Sequence, residues 1–327
     1  NIGADIGLLN NRLNISADVY SRKSLDLINL IRTSGIGGQL TKAANYADLK
    51  SQGIEFSIGG KPYVDNRFTW HTNLTFGYNT NEITNARNFP MVFDLVAPEG
   101  GAKQGYPVRG LFSIPFAGLN ENGVPVFENE KGQTSSAVFL QSDVTDFLKY
   151  EGPVDPTIVG GFTNRVSYKN LSLGFHLSYQ AGNKIRMNPV FRGSYSDLDA
   201  LPKEFNNRWV LPGDEAFTDI PSIADSYASY DIRNANAYPY NNYNFSTARV
   251  ADGSFVRLKS VTAEYILPPK VLQGSPFKNV SLNIIAHNLW LIYADPYLYG
   301  QDPEFFNAGG VAMPLNKQFT ASLKLGF

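Results

Sequence analysis

The sequence predicts an all-β fold: a transmembrane antiparallel β-barrel wall with long loops gathered on one side. Three observations predict it. Apolar and polar residues alternate with period two through one segment after another, the connections between segments alternate between short and long, and aromatics stand at the ends of the apolar rows. The mean hydropathy of −0.21 fits, because lipid-facing and lumen-facing residues average out along each strand of such a wall. No run of 18 apolar residues occurs, so the sequence offers no transmembrane helix.

Composition narrows the function classes. Among 327 residues, 28 Lys plus Arg balance 29 Asp plus Glu, which gives no footprint for a polyanion and argues against nucleic acid as a partner. Cysteine is absent, so neither a disulfide framework nor a thiolate nucleophile or metal ligand is available. Aromatics make up 13% and charged residues 17%, against about 25% charged in ordinary globular chains. The chain opens inside a strand pattern, Ile2-Gly3-Ala4-Asp5-Ile6-Gly7-Leu8, without a signal peptide, which leads us to expect a missing upstream portion.

The elements follow in order. Ile2, Ala4, Ile6 and Leu8 alternate with polar or small residues until Asn10-Asn11 turns the chain. Leu13, Ile15, Ala17 and Val19 begin a long second strand reaching about Ile31, and the Gly/Thr/Ser/Ala-rich stretch from Arg32 to Asn45 reads as a long loop. A third strand spans Gly53 to Gly59 and turns near Asp65. The clearest strand is the fourth. It sets Phe68, Trp70, Thr72, Leu74, Phe76 and Tyr78 against Thr69, His71, Asn73, Thr75, Gly77 and Asn79. Aromatics at both ends of its apolar row give the girdle pattern of a membrane strand.

From Ala86 to Asp155 the alternation lapses, apart from a small hairpin expected over Gly118 to Phe127. Strands resume at Phe162 to Tyr168 and, after a turn at Lys169-Asn170, at Leu171 to Tyr179. A second excursion, about Asn188 to Thr247, holds a possible short helix near Glu204 to Val210 and a Tyr/Asn/Pro cluster. The strand from Phe255 to Leu267 changes register halfway, which predicts a bulge. Val280 to Ala286 follows a short Pro-bearing turn, and after a loop from Asp295 to Leu315 the last strand sets Phe319, Ala321, Leu323, Leu325 and Phe327 on one face.

The strict sorting of short turns (near Asn10, Asp65, Asn170 and Pro269) from long loops separates a membrane barrel, with short periplasmic turns and long extracellular loops, from a soluble sandwich. About nine strands result. An odd number of antiparallel strands cannot close without a parallel seam, so the wall needs more chain to complete it.

Several segments together resemble the SusC/RagA type of TonB-dependent outer-membrane transporter of Bacteroidetes-like bacteria. They are Leu49-Lys50-Ser51-Gln52-Gly53-Ile54-Glu55-Phe56, the start Phe68-Thr69-Trp70, Gly152-Pro153-Val154-Asp155-Pro156 leading to Gly160-Gly161-Phe162-Thr163-Asn164, Ser254 to Val261 with Leu267-Pro268, Asn288-Leu289-Trp290, and Asp302-Pro303-Glu304. The C-terminal Phe327 with its alternating apolar residues similarly looks like the terminal strand of bacterial outer-membrane barrels. The resemblance implies that residues 1–327 are the C-terminal portion, about nine strands, of one barrel of about 22 strands, a size class with a plugged lumen. It further implies a plug domain and N-terminal strands outside this chain, TonB contact through that missing part, and a SusD-like surface lipoprotein capping the long loops. No cofactor is implied.

Candidate site residues divide into three groups. The pairs Asp302/Glu304 and Asp143/Asp146 read as solvated loop acids, and no catalytic constellation stands out, so the chain reads as a non-enzyme. Asn120-Glu121-Asn122-Gly123 reads as a plain turn in preference to calcium binding, and His71, His176 and His287 as polar lumen lining, leaving no metal site. In the second excursion Trp209, Tyr227, Tyr230, Tyr238, Tyr240 and Tyr243 interleave with Asn234, Asn236, Asn241 and Asn242. Aromatic faces with amides suit a sugar or peptide ligand, and they equally suit packing of the loop on itself or against a capping protein. Trp209, Tyr238, Tyr240 and Tyr243 are the candidate contacts, and Phe68, Trp70, Phe76, Tyr78, Phe319 and Phe327 the lipid-facing girdle.

The function expected from the resemblance is TonB-dependent import of oligosaccharides or oligopeptides across the outer membrane. Two competitors are a non-transporting barrel acting as the scaffold of an outer-membrane assembly or secretion complex, and a soluble carbohydrate-binding β protein. A plug with a TonB-binding segment would favour import over the scaffold, and a monomer stable without detergent would mark the soluble protein.

Overall fold

The structure, a computed structural model, describes residues 1–33, 38, 41–189, 191, 201–223, 238–306 and 316–327. Among the described residues, sixteen strands in chain order are β1 (Ile2–Leu8), β2 (Leu13–Arg32), β3 (Thr41–Val64), β4 (Phe68–Ala86), β5 (Gly110–Ser113), β6 (Phe116–Leu119), β7 (Pro125–Glu128), β8 (Thr134–Ser135), β9 (Lys149–Pro153), β10 (Ile158–Tyr168), β11 (Leu171–Ala181), β12 (Lys184–Arg186), β13 (Val250–Asp252), β14 (Phe255–Ile266), β15 (Asn279–Ala294) and β16 (Gln318–Gly326). Nine of them form one antiparallel sheet in the order β1-β2-β3-β4-β10-β11-β14-β15-β16. Each wall strand thus pairs with the next one in the chain, the up-and-down connectivity of a barrel wall.

Pairing register carries one apolar row from strand to strand. Residues directly opposite in an antiparallel pair share a face. Ile6 meets Ile15, Ile15 meets Ile58, Ile58 meets Leu74, Leu74 meets Phe162, Phe162 meets Leu177 and Leu177 meets Leu258. The row beside it is polar and small: Asn14, Gly59, Asn73, Thr163, His176, Ser260, His287 and Gln318. No second sheet covers the apolar face among the described residues; Leu173 is 51% exposed and Leu323 63%. In water such a face would be a large apolar patch, and in a bilayer it is the lipid-facing surface of a barrel.

The turns explain the sorting of the loops. Leu9, Asn10 and Asn11 all take left-handed backbone (φ 55, 56 and 61°), a conformation Asn tolerates well. At the next turn Asp65 Oδ1 accepts the N–H groups of Arg67 (2.6 Å) and Phe68 (2.8 Å). Three connections at the opposite end, residues 87–157, 182–254 and 295–317, are long.

Several boundaries differ from the periodicity reading. Strand β3 begins at Thr41, so the end of the stretch expected as loop, Thr41 to Asn45, is paired with β2. Its small residues conceal the strand, and bulges near Asp26 (φ 55°) and Leu27 break the alternation. Strands β4 and β15 likewise run on past Tyr78 and Ala286, to Ala86 and Ala294. The bulge expected in β14 is present: register shifts fall between Val256 and Arg257 and between Leu258 and Ser260. The hairpin expected over Gly118 to Phe127 is β6 with β7, and the helix expected near Glu204 is a 3-10 turn over Lys203–Asn207.

Candidate functional site: the loop cap and the lumen face

The buried core of this chain lies chiefly in its loops. A short helix, α1 (Val92–Val96), places Val92, Leu95 and Val96 inward. They join Phe112, Ile114, Phe127, Leu140 and Leu148 from the same excursion and Phe191, Phe205, Ile220, Tyr240 and Tyr243 from the next. A second helix, α2 (Pro239–Asn244), begins with Pro at its first position, where the missing N–H costs nothing. Backbone bonds lock the two excursions together: Ile114 N–H donates to Phe245 O (3.1 Å) and Thr247 N–H to Ile114 O (3.0 Å). The result is a cap above the wall.

Two buried arginines hold the cap. Arg186, on β12, donates from Nη1 to Ser246 O (2.6 Å) and from Nη2 to Phe112 O (2.6 Å) and Ser113 Oγ (3.0 Å), tying both excursions to one guanidinium. Burial pushes its pKa down to about 9, with nearby Glu151 pulling the other way. Arg249 pairs with Glu204 at 2.7 Å, both almost fully buried, and its guanidinium lies 4.9 Å from the centre of the Phe191 ring. Such a pair is costly to break, since removing one partner leaves the other charge buried.

The predicted contact aromatics separate. Tyr243 is fully buried, packs edge-on against Phe116 and Phe191, and donates its hydroxyl to Asp219 O at 2.9 Å. Burial raises its phenol pKa, as it does for Tyr240, whose hydroxyl lies 3.2 Å from Ser222 Oγ. Both therefore build the cap interior and present no ring to a ligand in this conformation. Trp209 is half-buried, donates Nε1–H to Glu215 (2.8 Å) and covers Gly123, where a Cβ would lie 2.5 Å from the indole. Tyr238 is 55% exposed and is the one of the four that offers an open ring. Asn241 and Asn242 lie on α2, while Tyr227, Tyr230, Asn234 and Asn236 lie outside the described residues.

Other sequence candidates also find definite roles. Asn120 Oδ1 accepts the N–H groups of Asn122 (3.0 Å) and Val124 (2.9 Å), so that oxygen serves the turn. Asp302 and Glu304, expected as solvated loop acids, are ion-paired instead. Asp302 bonds Arg257, and Glu304 lies 3.0 Å from Arg257 Nε and 2.6 Å from Lys259 Nζ. The β14 bulge, an interruption of simple alternation, lies at these two cations, and the last long loop is thereby anchored to the wall. Asp146, from the other acid pair, bonds Lys103 at 2.9 Å. His71, His176 and His287 sit on the polar face, where His176 Nδ1 lies 2.9 Å from Thr163 Oγ1.

Among the described residues, concavities open at both ends of the wall. On the polar face near the short-turn end, a groove of about 840 Å³ is lined by Asp5, Asn14, Ser16, His71, Asn73 and Thr163. At the long-loop end, a pocket of about 590 Å³ lies between strand tops and cap, lined by Tyr46, Arg87, Met91, Glu99 and Arg109. Phe89 at its edge is 92% exposed. Sequence reasoning missed this pocket because its walls come from β2, β3 and the first excursion, which share no local pattern.

The girdle candidates fall on the apolar face as their register requires. Phe68, Trp70, Phe76 and Tyr78 pair with Tyr168, Val166, Gly160 and Ile158, and Phe319 pairs with Ala286. Phe327, just beyond β16, lies 5.2 Å from the Phe277 ring.

Comparison with known proteins follows the same line. No family model matches the chain. It is 26% identical to the TonB-dependent receptor P39 of Formosa agariphila over 96% of this chain and 33% of the relative. It is also 26% identical to the TonB-dependent receptor SusC of Bacteroides thetaiotaomicron over 72% of this chain and 24% of SusC. Among solved structures, the RagAB peptide transporter superposes with a TM-score of 0.77 at 25% identity, covering 99% of this chain and 34% of that one. The chain thus spans about a third of the length of the first of these relatives. Sequence and fold alike thus resemble TonB-dependent outer-membrane proteins of the SusC and RagA type.

Proposed function

We propose that this chain is the C-terminal part of the barrel of an outer-membrane importer, with the plug domain and the N-terminal strands supplied by chain outside these residues. The full protein imports an oligomer too large to diffuse, coupled to TonB through that other part and covered by a SusD-like lipoprotein seated on the cap. The observation that carries this reading is the distribution of burial. The wall keeps a polar, groove-bearing inner face, while the packed core is reserved for a cap that holds Tyr238 and Phe89 open at the long-loop end. A lipid-facing girdle of Phe68, Trp70, Phe76, Tyr78, Phe319 and Phe327 belongs to the same reading.

The substrate class is an oligopeptide or an oligosaccharide, both of which present hydrogen-bonding groups to Asn, Ser and Arg side chains. The likeness to a structure described as a peptide transporter favours the peptide arm. Uptake of defined peptides and of oligosaccharides by cells whose sole copy is the full-length protein tests it. Depletion of one class, abolished when TonB is deleted, is the expected result. Depletion of neither class under any condition would overturn import in favour of a scaffold role. Tyr238→Ala should weaken binding of the cap lipoprotein or the substrate about tenfold, the loss typical of a truncated interface aromatic. Unchanged affinity for both would remove Tyr238 from the site.

A further inference from the structure

The outer face of the wall changes character above its last aromatic row on β2, β3 and β4. Going towards the long loops, the outward rows read Val19–Ile54–Tyr78, then Ser21–Gln52–Thr80, then Lys23–Lys50–Glu82. Lys23 and Lys50 are direct cross-strand partners on one face. Like charges placed directly opposite destabilise a sheet. Lys23 is exposed, Lys50 partly so, and neither has a hydrogen-bond or ion-pair partner among the described residues, Glu82 included.

Their height supplies the reason for this cost. The lysine row lies four residues beyond the tyrosine row. That is roughly 13 Å along a strand, or roughly 10 Å along the membrane normal at a tilt near 40°. Headgroup layers extend roughly 5–8 Å beyond the hydrocarbon on each side, and lysine stems reach down towards that layer while keeping the ammonium among polar groups. The two lysines therefore leave neighbouring strands as direct partners at the level of outer-leaflet headgroups, on the surface that faces lipid and away from the lumen. A doubly charged phosphate group between them turns the repulsion into two charge-assisted contacts.

We propose that Lys23 and Lys50 form a binding site on the outer wall for the phosphorylated headgroup of an outer-leaflet glycolipid. The site is separate from the lumen and the cap, and Glu82 on the neighbouring strand limits its affinity.

The test titrates the full-length protein in detergent with a diphosphorylated glycolipid of the lipid A kind and with its dephosphorylated form, reading bound lipid by native mass spectrometry. Wild type should prefer the phosphorylated form. At about 1 kcal/mol per surface lysine, Lys23→Gln with Lys50→Gln should weaken it about 25-fold, and either single change about fivefold. Glu82→Gln should tighten it, a change of sign that general loss of structure does not produce. The double variant removes a repulsion, so its heat stability should not fall. Unchanged affinity in the double variant overturns the site, and so does equal binding of the dephosphorylated lipid. Displacement by inorganic phosphate as effective as by the lipid itself overturns the lipid assignment. None of these readouts depends on uptake, so the proposal stands or falls apart from the import reading.

Discussion

Leu323 in the wall keeps 63% of its surface uncovered, whereas Leu95 and Phe127 in the cap keep none. The two regions come from one chain of even composition and use apolar side chains in opposite ways. In the wall they point out, in rows continued from strand to strand, and polar residues point in. In the cap they point in, and two buried arginines satisfy the carbonyls that irregular backbone leaves over. The difference teaches where each region draws its stability: the wall from its bilayer, through pairing and lipid contact, and the cap from its own packing, as a small water-soluble domain does. The two should therefore fail independently, and substitutions can be chosen to break one and spare the other.

The largest expected effect is in the cap. Arg249→Ala leaves Glu204 charged, buried and without its partner, a loss of about 3–5 kcal/mol. Hydrogen exchange of the full-length protein should show residues 182–189 and 201–220 opening, while exchange in β10 and β11 stays slow. Exchange that rises equally in both regions would mean that cap and wall are one cooperative unit. The converse experiment is in the wall. Leu323→Arg places a cation on the apolar face opposite Leu282, at about 2–4 kcal/mol if it lies mid-bilayer. Assembly into vesicles should fall while cap exchange in the assembled fraction is unchanged. Normal assembly would count against a lipid-facing β16.

The contrast also explains what could be read from the sequence. Wall strands declare themselves locally, because Phe68 to Tyr78 or Phe319 to Phe327 need only a period of two to show both faces. Strand patterns and the alternation of short and long connections gave about nine strands, and in the structure each wall strand pairs with its successor. Where bulges interrupt the period, at Leu27 and at Leu258, the strand was harder to see. The cap has no period to read. Arg186 meets Phe112 across 74 residues and Arg249 meets Glu204 across 45, so neither arginine carries a local signal of its partner. The same holds for Tyr240 and Tyr243, whose types marked them as contacts while their surroundings make them core.

The smallest predicted effect probes the one place where the wall behaves like the cap. Asn164 lies on the apolar face of β10, opposite Thr72 and Phe175, yet it is almost fully buried there. Its Oδ1 accepts the indole N–H of Trp70 at 2.7 Å, so the Trp70 ring covers an amide that lipid could not hydrate. Trp70→Phe removes that donor and should destabilise the wall by about 1–3 kcal/mol, the cost of an unmet buried polar group. Asn164→Leu in the same chain should recover most of the loss, because removing both partners together is close to neutral. A double-mutant cycle on urea-induced unfolding from vesicles measures the coupling. A Trp70→Phe variant as stable as wild type would mean that water reaches Asn164, and the lower edge of the hydrocarbon band would then have to be drawn above this row, nearer Leu74.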